Sequence, residues 1–300
     1  MTLLVTTNDE DGRGGSLHSK DLRPFSKERH MARATLLSKE SRRSLLTAIT
    51  AVGKVLVLLA LFAALAVPNA YAQGRRDPRD PKVIPPDSVA YGRTFGEWSA
   101  AWEQWADSIP VAEHPLFDNP VGNPDCSKGQ SGPVWFLGGK FCGGGATCSY
   151  TGVVRHCSIP SGKALYFPIL NYEDSALEES VAENPGNPAY LQIAALRQGA
   201  AATQDAIYSV SCSVDGEPVP DLKANYRVQS TAFGFTLPAD NLFKAVYGNN
   251  GFVAGSYFPA VDDGWYVMLA PMHPGPHVVH IAGSAPGYTL DVTYYLQVQH

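Results

Sequence analysis

The chain has 300 residues, is 45% hydrophobic and 17% charged, and carries a formal net charge of −5. Residues 1–72 carry +4 and residues 73–300 carry −9, and an acidic body with dispersed basic residues leaves no electrostatic footprint for nucleic acid. Residues 73–300 are enough to bury a sizeable core as one large domain or two small ones, and no repeat or low-complexity segment interrupts them.

In chain order, the first signal is a leader. The apolar run VLVLLALFAALAV (55–67) follows Arg42, Arg43 and Lys54 and precedes Ala70-Tyr71-Ala72. It is too short to span a bilayer comfortably and has the form of a signal peptide cut after Ala72. Met31 is a plausible start, because it opens a more ordinary basic leader. Ser41-Arg42-Arg43-Ser44-Leu45-Leu46 resembles a twin-arginine motif, although the strongly apolar run and the cysteines fit export of an unfolded chain better. With no second apolar run long enough for a span, the expected location is secreted or periplasmic, with no membrane span after cleavage. Residues 1–72 form the extension and signal, 73–88 a proline-rich charged linker, and 89–300 a single β-rich domain.

The stretch TFGEWSAAWEQWADSIP (94–110) then predicts a helix. Thr94 and Glu97 form a capping box. Phe95, Trp98, Trp102, Trp105 and Ile109 fall on one face, Glu97, Glu103 and Asp107 take other faces, and Pro110 stops the helix. Trp98, Trp102 and Trp105 are expected to be core; a stacking platform for sugar rings or an interfacial anchor is the functional alternative.

Beyond it the chain turns to short strands: 133–138, 163–170, 206–214 with a hairpin turn at Asp215-Gly216, then YRVQSTAFGFTLP, GFVAGSYF, GWYVMLAP, PHVVHIAG and YTLDVTYYLQV. One further helix is expected after Asn187 and Pro188, weakened by Gly199. The architecture expected is mainly β, a β-sandwich of Ig-like or jelly-roll-like kind, with the Trp-rich helix and one further helix. Five cysteines lie at 126, 142, 148, 157 and 212. Cys142 and Cys148 flank a flexible GGGAT loop suited to a local bridge, Cys126 and Cys157 could close an outer one, and Cys212 is left over. Zinc binding is the alternative, but no C-x-x-C pair occurs.

The ordered motifs YGRTFGEWSAAWEQWADSIP, C-x3-GQSGPVWFLGG, C-x2-PSGKALYFPILN, DGWYVMLAPMHPGPHVVHIAG and LDVTYYLQV resemble a family of exported bacterial proteins of unassigned activity. The resemblance covers most of residues 90–298. It implies one exported unit and little about chemistry. In that family a cysteine commonly follows the PILN stretch. Here that place reads Tyr172-Glu173-Asp174-Ser175, so Cys212 lacks the partner the family would supply.

Two groups of residues could carry chemistry. His273, His277 and His280 in MHPGPHVVH have ligand types suited to copper or zinc, but strand alternation sends His277 and His280 to opposite faces. The acidic stretch NYEDSALEES (171–180) could gather Ca²⁺ ligands from Asn171, Glu173, Asp174, Glu178 and Glu179, or supply a glycosidase-like carboxylate pair, with Glu173, Asp174 and Glu178 as candidate catalytic groups. As a charge run it reads first as a solvated surface loop. No G-x-S-x-G, H-E-x-x-H or phosphate loop occurs, and Ser131 lacks an elbow pattern. No cofactor is implied. The leading expectation is a non-enzymatic protein with a binding or structural role toward an extracellular ligand. The alternatives are a secreted glycan-active hydrolase or lyase, and a copper- or zinc-binding protein.

Overall fold

The computed structural model describes residues 82–118, 121–143, 146–249 and 251–300. The apolar run at 55–67, the expected cleavage after Ala72 and the alternative start at Met31 lie outside them. In chain order the strands are β1 (Val83–Ile84), β2 (Val134–Phe136), β3 (Cys148–Ile159), β4 (Ala164–Ser175), β5 (Ser209–Val214), β6 (Glu217–Pro218), β7 (Arg227–Gln229), β8 (Phe233–Leu237), β9 (Gly255–Leu269), β10 (Gly275–Ala285) and β11 (Tyr288–Val298). The main helices are α1 (Phe95–Ser108), α2 (Ile193–Asp205) and α3 (Leu242–Tyr247).

Two packed sheets make the mainly β architecture that the punctuated strands led us to expect. The first runs β1-β9-β4-β2, with β7 and β8 also laid along β9; the second runs β3-β11-β10-β5-β6. Most pairs are antiparallel, but β2 runs parallel to β4 and β3 parallel to β11. The hairpin at Asp215-Gly216 is present, with φ of 53° and 87°, joining β5 to β6.

β4 and β9 are buried on both faces, which is why they read as nearly unbroken apolar runs. Leu165, Phe167, Val267 and Leu269 face the second sheet, while Tyr166, Tyr266 and Met268 face α1. α1 thus covers the outer face of the first sheet, giving helix over sheet over sheet. The capping box forms as expected: Glu97 N–H donates to Thr94 Oγ1 and Thr94 N–H donates to Glu97 Oε2 at 2.7 Å. Trp98, Trp102 and Trp105 are all buried. Each indole N–H donates to a backbone carbonyl of another segment: Trp98 to Ala90 at 2.8 Å, Trp102 to Leu137 at 2.7 Å and Trp105 to Lys128 at 3.0 Å. Three tryptophans on one helix therefore bury large apolar surfaces and tie down three loops at once.

Several expectations need correction. The pieces expected at GFVAGSYF and GWYVMLAP belong largely to one strand, β9, and β3 was not expected. Val83–Ile84, inside the expected linker, pairs with Leu269 and Met268. The helix expected from Asn187 starts later: Pro188–Leu191 form a 3-10 turn capped by the Asn187 side chain, and α2 follows. Gly199, read as a weakness of that helix, is a contact point. A Cβ there would lie 2.6 Å from Asp174 Oδ2, so α2 approaches β4 this closely only because residue 199 lacks a side chain.

The cysteines fall into two pairs at disulfide distance, Cys126 with Cys157 (Cα–Cα 5.7 Å) and Cys142 with Cys148 (6.1 Å). Cys212 is free and buried in β5, where burial pushes its thiol pKa up to about 12. Among the described residues no helix is long and apolar enough to cross a membrane.

Candidate active site

A bulge in β4 builds the site. Up to Pro168 the even-numbered residues of β4 face α1: Tyr166 donates its hydroxyl to Phe95 O at 2.8 Å. The register with β9 then shifts between Pro168 and Leu170, and an extra residue reverses the alternation. Leu170 turns toward the second sheet, and Asn171 comes to the α1 side, where its amide donates to Glu103 Oε1 at 2.6 Å. Glu173 is two residues further along the same face. Glu103 and Asp107, one helical turn apart on α1, meet them.

These side chains open on a cavity of about 230 Å³. Trp102, Phe141, Tyr172, Phe243, Tyr247 and Tyr288 give it aromatic walls, and Glu103, Asp107, Glu173 and Glu178 give it acids. The disulfide-closed loop supplies Cys142, Gly143 and Ala146. Tyr288 and Tyr150 anchor that loop by donating to Lys140 O at 2.6 Å and Phe141 O at 3.0 Å. Lys140 also lines the cavity, but its ammonium is committed to Asp118 at 2.6 Å.

The acids fall into two carboxyl pairs, Glu103 with Asp262 and Glu173 with Glu178. Behind Glu103 lies Asp262 of β9, which accepts from Tyr266 at 2.8 Å and Asn171 at 3.1 Å. Burial raises the pKa of Glu103 well above the usual carboxylate range, and the charges of Asp262 and Asp107 raise it further. Burial also raises Asp262, but only to about 7, because Tyr266, Asn171, Glu103 and Ser99 donate to it. Two carboxyls bond to each other only through a proton, so Glu103 carries it and Asp262 accepts.

In the second pair Glu178 accepts from Tyr247 at 2.8 Å and from Ser175 at 2.9 Å. Glu173 has no donor from the chain on either oxygen. Burial and then the charge of Glu178 raise Glu173 well above its ordinary range. Burial raises Glu178 as well, but its bonds to Glu173, Tyr247 and Ser175 oppose the rise. Glu173 therefore holds the proton of this pair. Asp107 is raised by burial and by Glu178, and its Oδ2 has no partner. At the edge of the group Asp174 is pushed up to about 8 by burial and then by Glu178 and Glu179.

The acidic stretch 171–180 is therefore not a solvated loop. β4 continues through Ser175, a helical turn spans Ala176–Glu178, and a π-helical turn spans Glu179–Glu183. Asp174, Glu178 and Glu179 are buried. Glu173 and Glu178 reach the cavity, Asp174 points instead toward α2, and Glu179 pairs with Asn184 at 2.7 Å. Of the tryptophans, Trp102 alone touches the cavity, as part of its wall. Sequence reasoning missed Glu103, Asp107, Asp262 and Tyr247. The i, i+4 pair of acids beside an otherwise apolar helical stripe was the available signal.

The histidines form no site with these groups. His277 uses both ring nitrogens within the fold, Nδ1 with Asp215 Oδ2 at 2.7 Å and Nε2 with His273 O at 2.9 Å. His280 pairs separately with Asp291 at 3.2 Å. Among the described residues, no three His, Cys, Asp or Glu side chains are arranged to hold a metal ion.

No family model matches the chain, and no curated protein or solved structure is significantly similar to it.

Proposed function

We propose that this chain is an exported enzyme that carries out general acid–base chemistry on a small hydroxylated substrate of the carbohydrate class. The observation that carries the reading is that two proton-sharing carboxyl pairs open on one aromatic-walled cavity. Groups whose pKa values are moved toward neutrality by burial and by like charge are the ones that deliver and remove protons. Glu103, holding a proton with Asp262 behind it, is the general acid. Glu178, set by Tyr247 and Ser175, is the base. Trp102 and Tyr247 line the cavity and supply aromatic surface against which a sugar can pack. The cavity is smaller than the ~300–1,000 Å³ that accommodates drug-sized ligands, so it suits one sugar unit rather than a long chain. Export is supported by the two disulfide-distance pairs and by the leader pattern ending at Ala72.

The test is turnover of a panel of aryl glycosides and short oligosaccharides from about pH 4 to about pH 8. The expected result is a bell-shaped profile that Glu103→Gln lowers at least ~100-fold while the variant still unfolds in a cooperative melt. Saturable binding with no turnover of any member would return the binding role to first place.

A further inference from the structure

Within the proposed site, the acids differ in how the fold treats them. Asp262 and Glu178 receive hydroxyl or amide donors from the chain. Asp107 Oδ2 and both oxygens of Glu173 receive none, although they are buried and border the cavity. Asp107 is only 2% exposed. A buried acceptor without a donor is destabilising, and more so when charged. The chain also withholds a counter-cation here, because Lys140, the basic side chain on the cavity wall, is held by Asp118. The cavity thus presents an unmet acceptor on Asp107, a Glu173 carboxyl that receives no donor, negative charge on ionisation, and a wall of aromatic rings.

We propose that the ligand of this site carries a protonated primary amine, seated between Asp107 and Glu173. An ammonium offers three donors and one positive charge, which is what these oxygens lack. The aromatic rings of Trp102, Phe243 and Tyr247 line the cavity, and aromatic surroundings favour a cation over a neutral hydroxyl. A metal ion fits worse, since the acids do not converge at ligating geometry. The proposal rests on this cavity being the ligand site, and it narrows the carbohydrate class to amino sugars or amine-bearing glycans.

Binding displaces protons. Asp107 and Glu173 face Glu103 from α1 and Glu178 from the helical turn, with Tyr172 and Tyr247 completing the polar wall and Lys140 and Tyr288 at the loop side. Burial raises Asp107, Glu173, Glu103 and Glu178 together. A bound ammonium must ionise Asp107 and Glu173, so its affinity rises with pH while the amine stays charged.

Titration calorimetry on the purified protein would compare glucosamine, ethylammonium and 1,5-diaminopentane with glucose and N-acetylglucosamine. Glucosamine is expected to bind at least about tenfold tighter than either neutral sugar near neutral pH, with release of protons, and ethylammonium, whose amine stays charged throughout, is expected to bind tighter near pH 8 than near pH 5. Asp107→Asn and Glu173→Gln should each lower amine affinity by a similar factor with folding intact, and Glu97→Gln, on the exposed first turn of α1, should not. Equal binding of neutral sugars, no saturable binding of any of the three amines, or unchanged affinity in both cavity variants overturns the proposal. Loss of turnover in Glu103→Gln reports on the acid–base reading separately, so the two can fail independently.

Discussion

Arg155 and the cavity acids are buried alike, yet the fold treats them oppositely. Arg155, fully buried in β3, donates to Asp118 through Nε, to Gly138 O at 2.8 Å, to Leu116 O at 3.2 Å and to the Tyr294 hydroxyl. Burial alone would raise the pKa of Asp118, but the guanidinium of Arg155 and the ammonium of Lys140 outweigh it and hold the carboxyl below its usual range. Every charge there has its complement. In the cavity, acids face acids, and their protons do the work of a missing cation. A buried charge that the chain itself completes belongs to the fold. One left incomplete beside a cavity is available to a ligand.

The comparison is sharpest if each cluster is broken in turn. Arg155→Ala should cost about 3–5 kcal/mol in a denaturant melt, because it leaves the buried Asp118 carboxylate with Lys140 alone and removes the donor from three backbone or hydroxyl acceptors. A loss under about 1 kcal/mol would mean that the pair behaves as a surface ion pair.

The cavity acids should show the reverse dependence on their own charge. The unfolded chain releases these protons in the ordinary carboxylate range, near 3.8 for an aspartic acid, whereas burial in the fold raises Glu103, Asp107 and Glu173 well above it and, just outside the cavity, holds Asp262 to about 7 and Asp174 to about 8. Raising the pH through that window favours the unfolded chain, so stability is greatest on the acid side and falls by about 1.4 kcal/mol per pH unit for each proton the folded state retains. Asp107→Asn should flatten this alkaline limb. Melting midpoints that stay level from about pH 5 to about pH 8 would show that the acids ionise freely in the folded protein.

The smallest effect belongs to a single buried imidazole. His114 accepts from Leu116 N–H on Nδ1 and pairs with Ala106 O through Nε2, so it is folded in its neutral form. Burial lowers its pKa from 6.5 to about 4. The unfolded chain therefore takes up this proton first as the pH falls below 6.5, and stability declines until the folded pKa is reached. Between about pH 4 and pH 6.5 this opposes the carboxyl effect, so His114→Gln should steepen the fall of stability with rising pH in that window and Asp107→Asn should flatten it.

Much of this fold was legible from local rules. The capping box, the tryptophan stripe, the hairpin at Asp215-Gly216 and the two cysteine pairs each depend on neighbours a few residues away or on flexible intervening glycines. The site was less legible because its causes are distant. Asp262-Asp263-Gly264 has the composition of a turn, and so β9 reads as two strands. It remains strand because Asp262 accepts from Tyr266 and Asn171, and Asp263 accepts from Arg227 at 2.8 Å and Gln229 at 2.9 Å. The burial of 171–180 depends on a one-residue bulge and on a partner strand some ninety residues away, neither of which leaves a mark in local composition.

The position of β11 sets the order in which the second sheet can be completed. β3 has its ladder partner in β11, and β11 lies between β3 and β10. As the ribosome makes the chain, β3 emerges early and waits for its neighbour through seven more strands of the first and second sheets. Its twelve residues, and Arg155 within them, have no sheet to join until residues 288–298 exist. Pairings of such long sequence separation are closed late and slowly. A chain truncated before Tyr288 should therefore lose β3 as well as β11, leaving the first sheet without half of its inner cover.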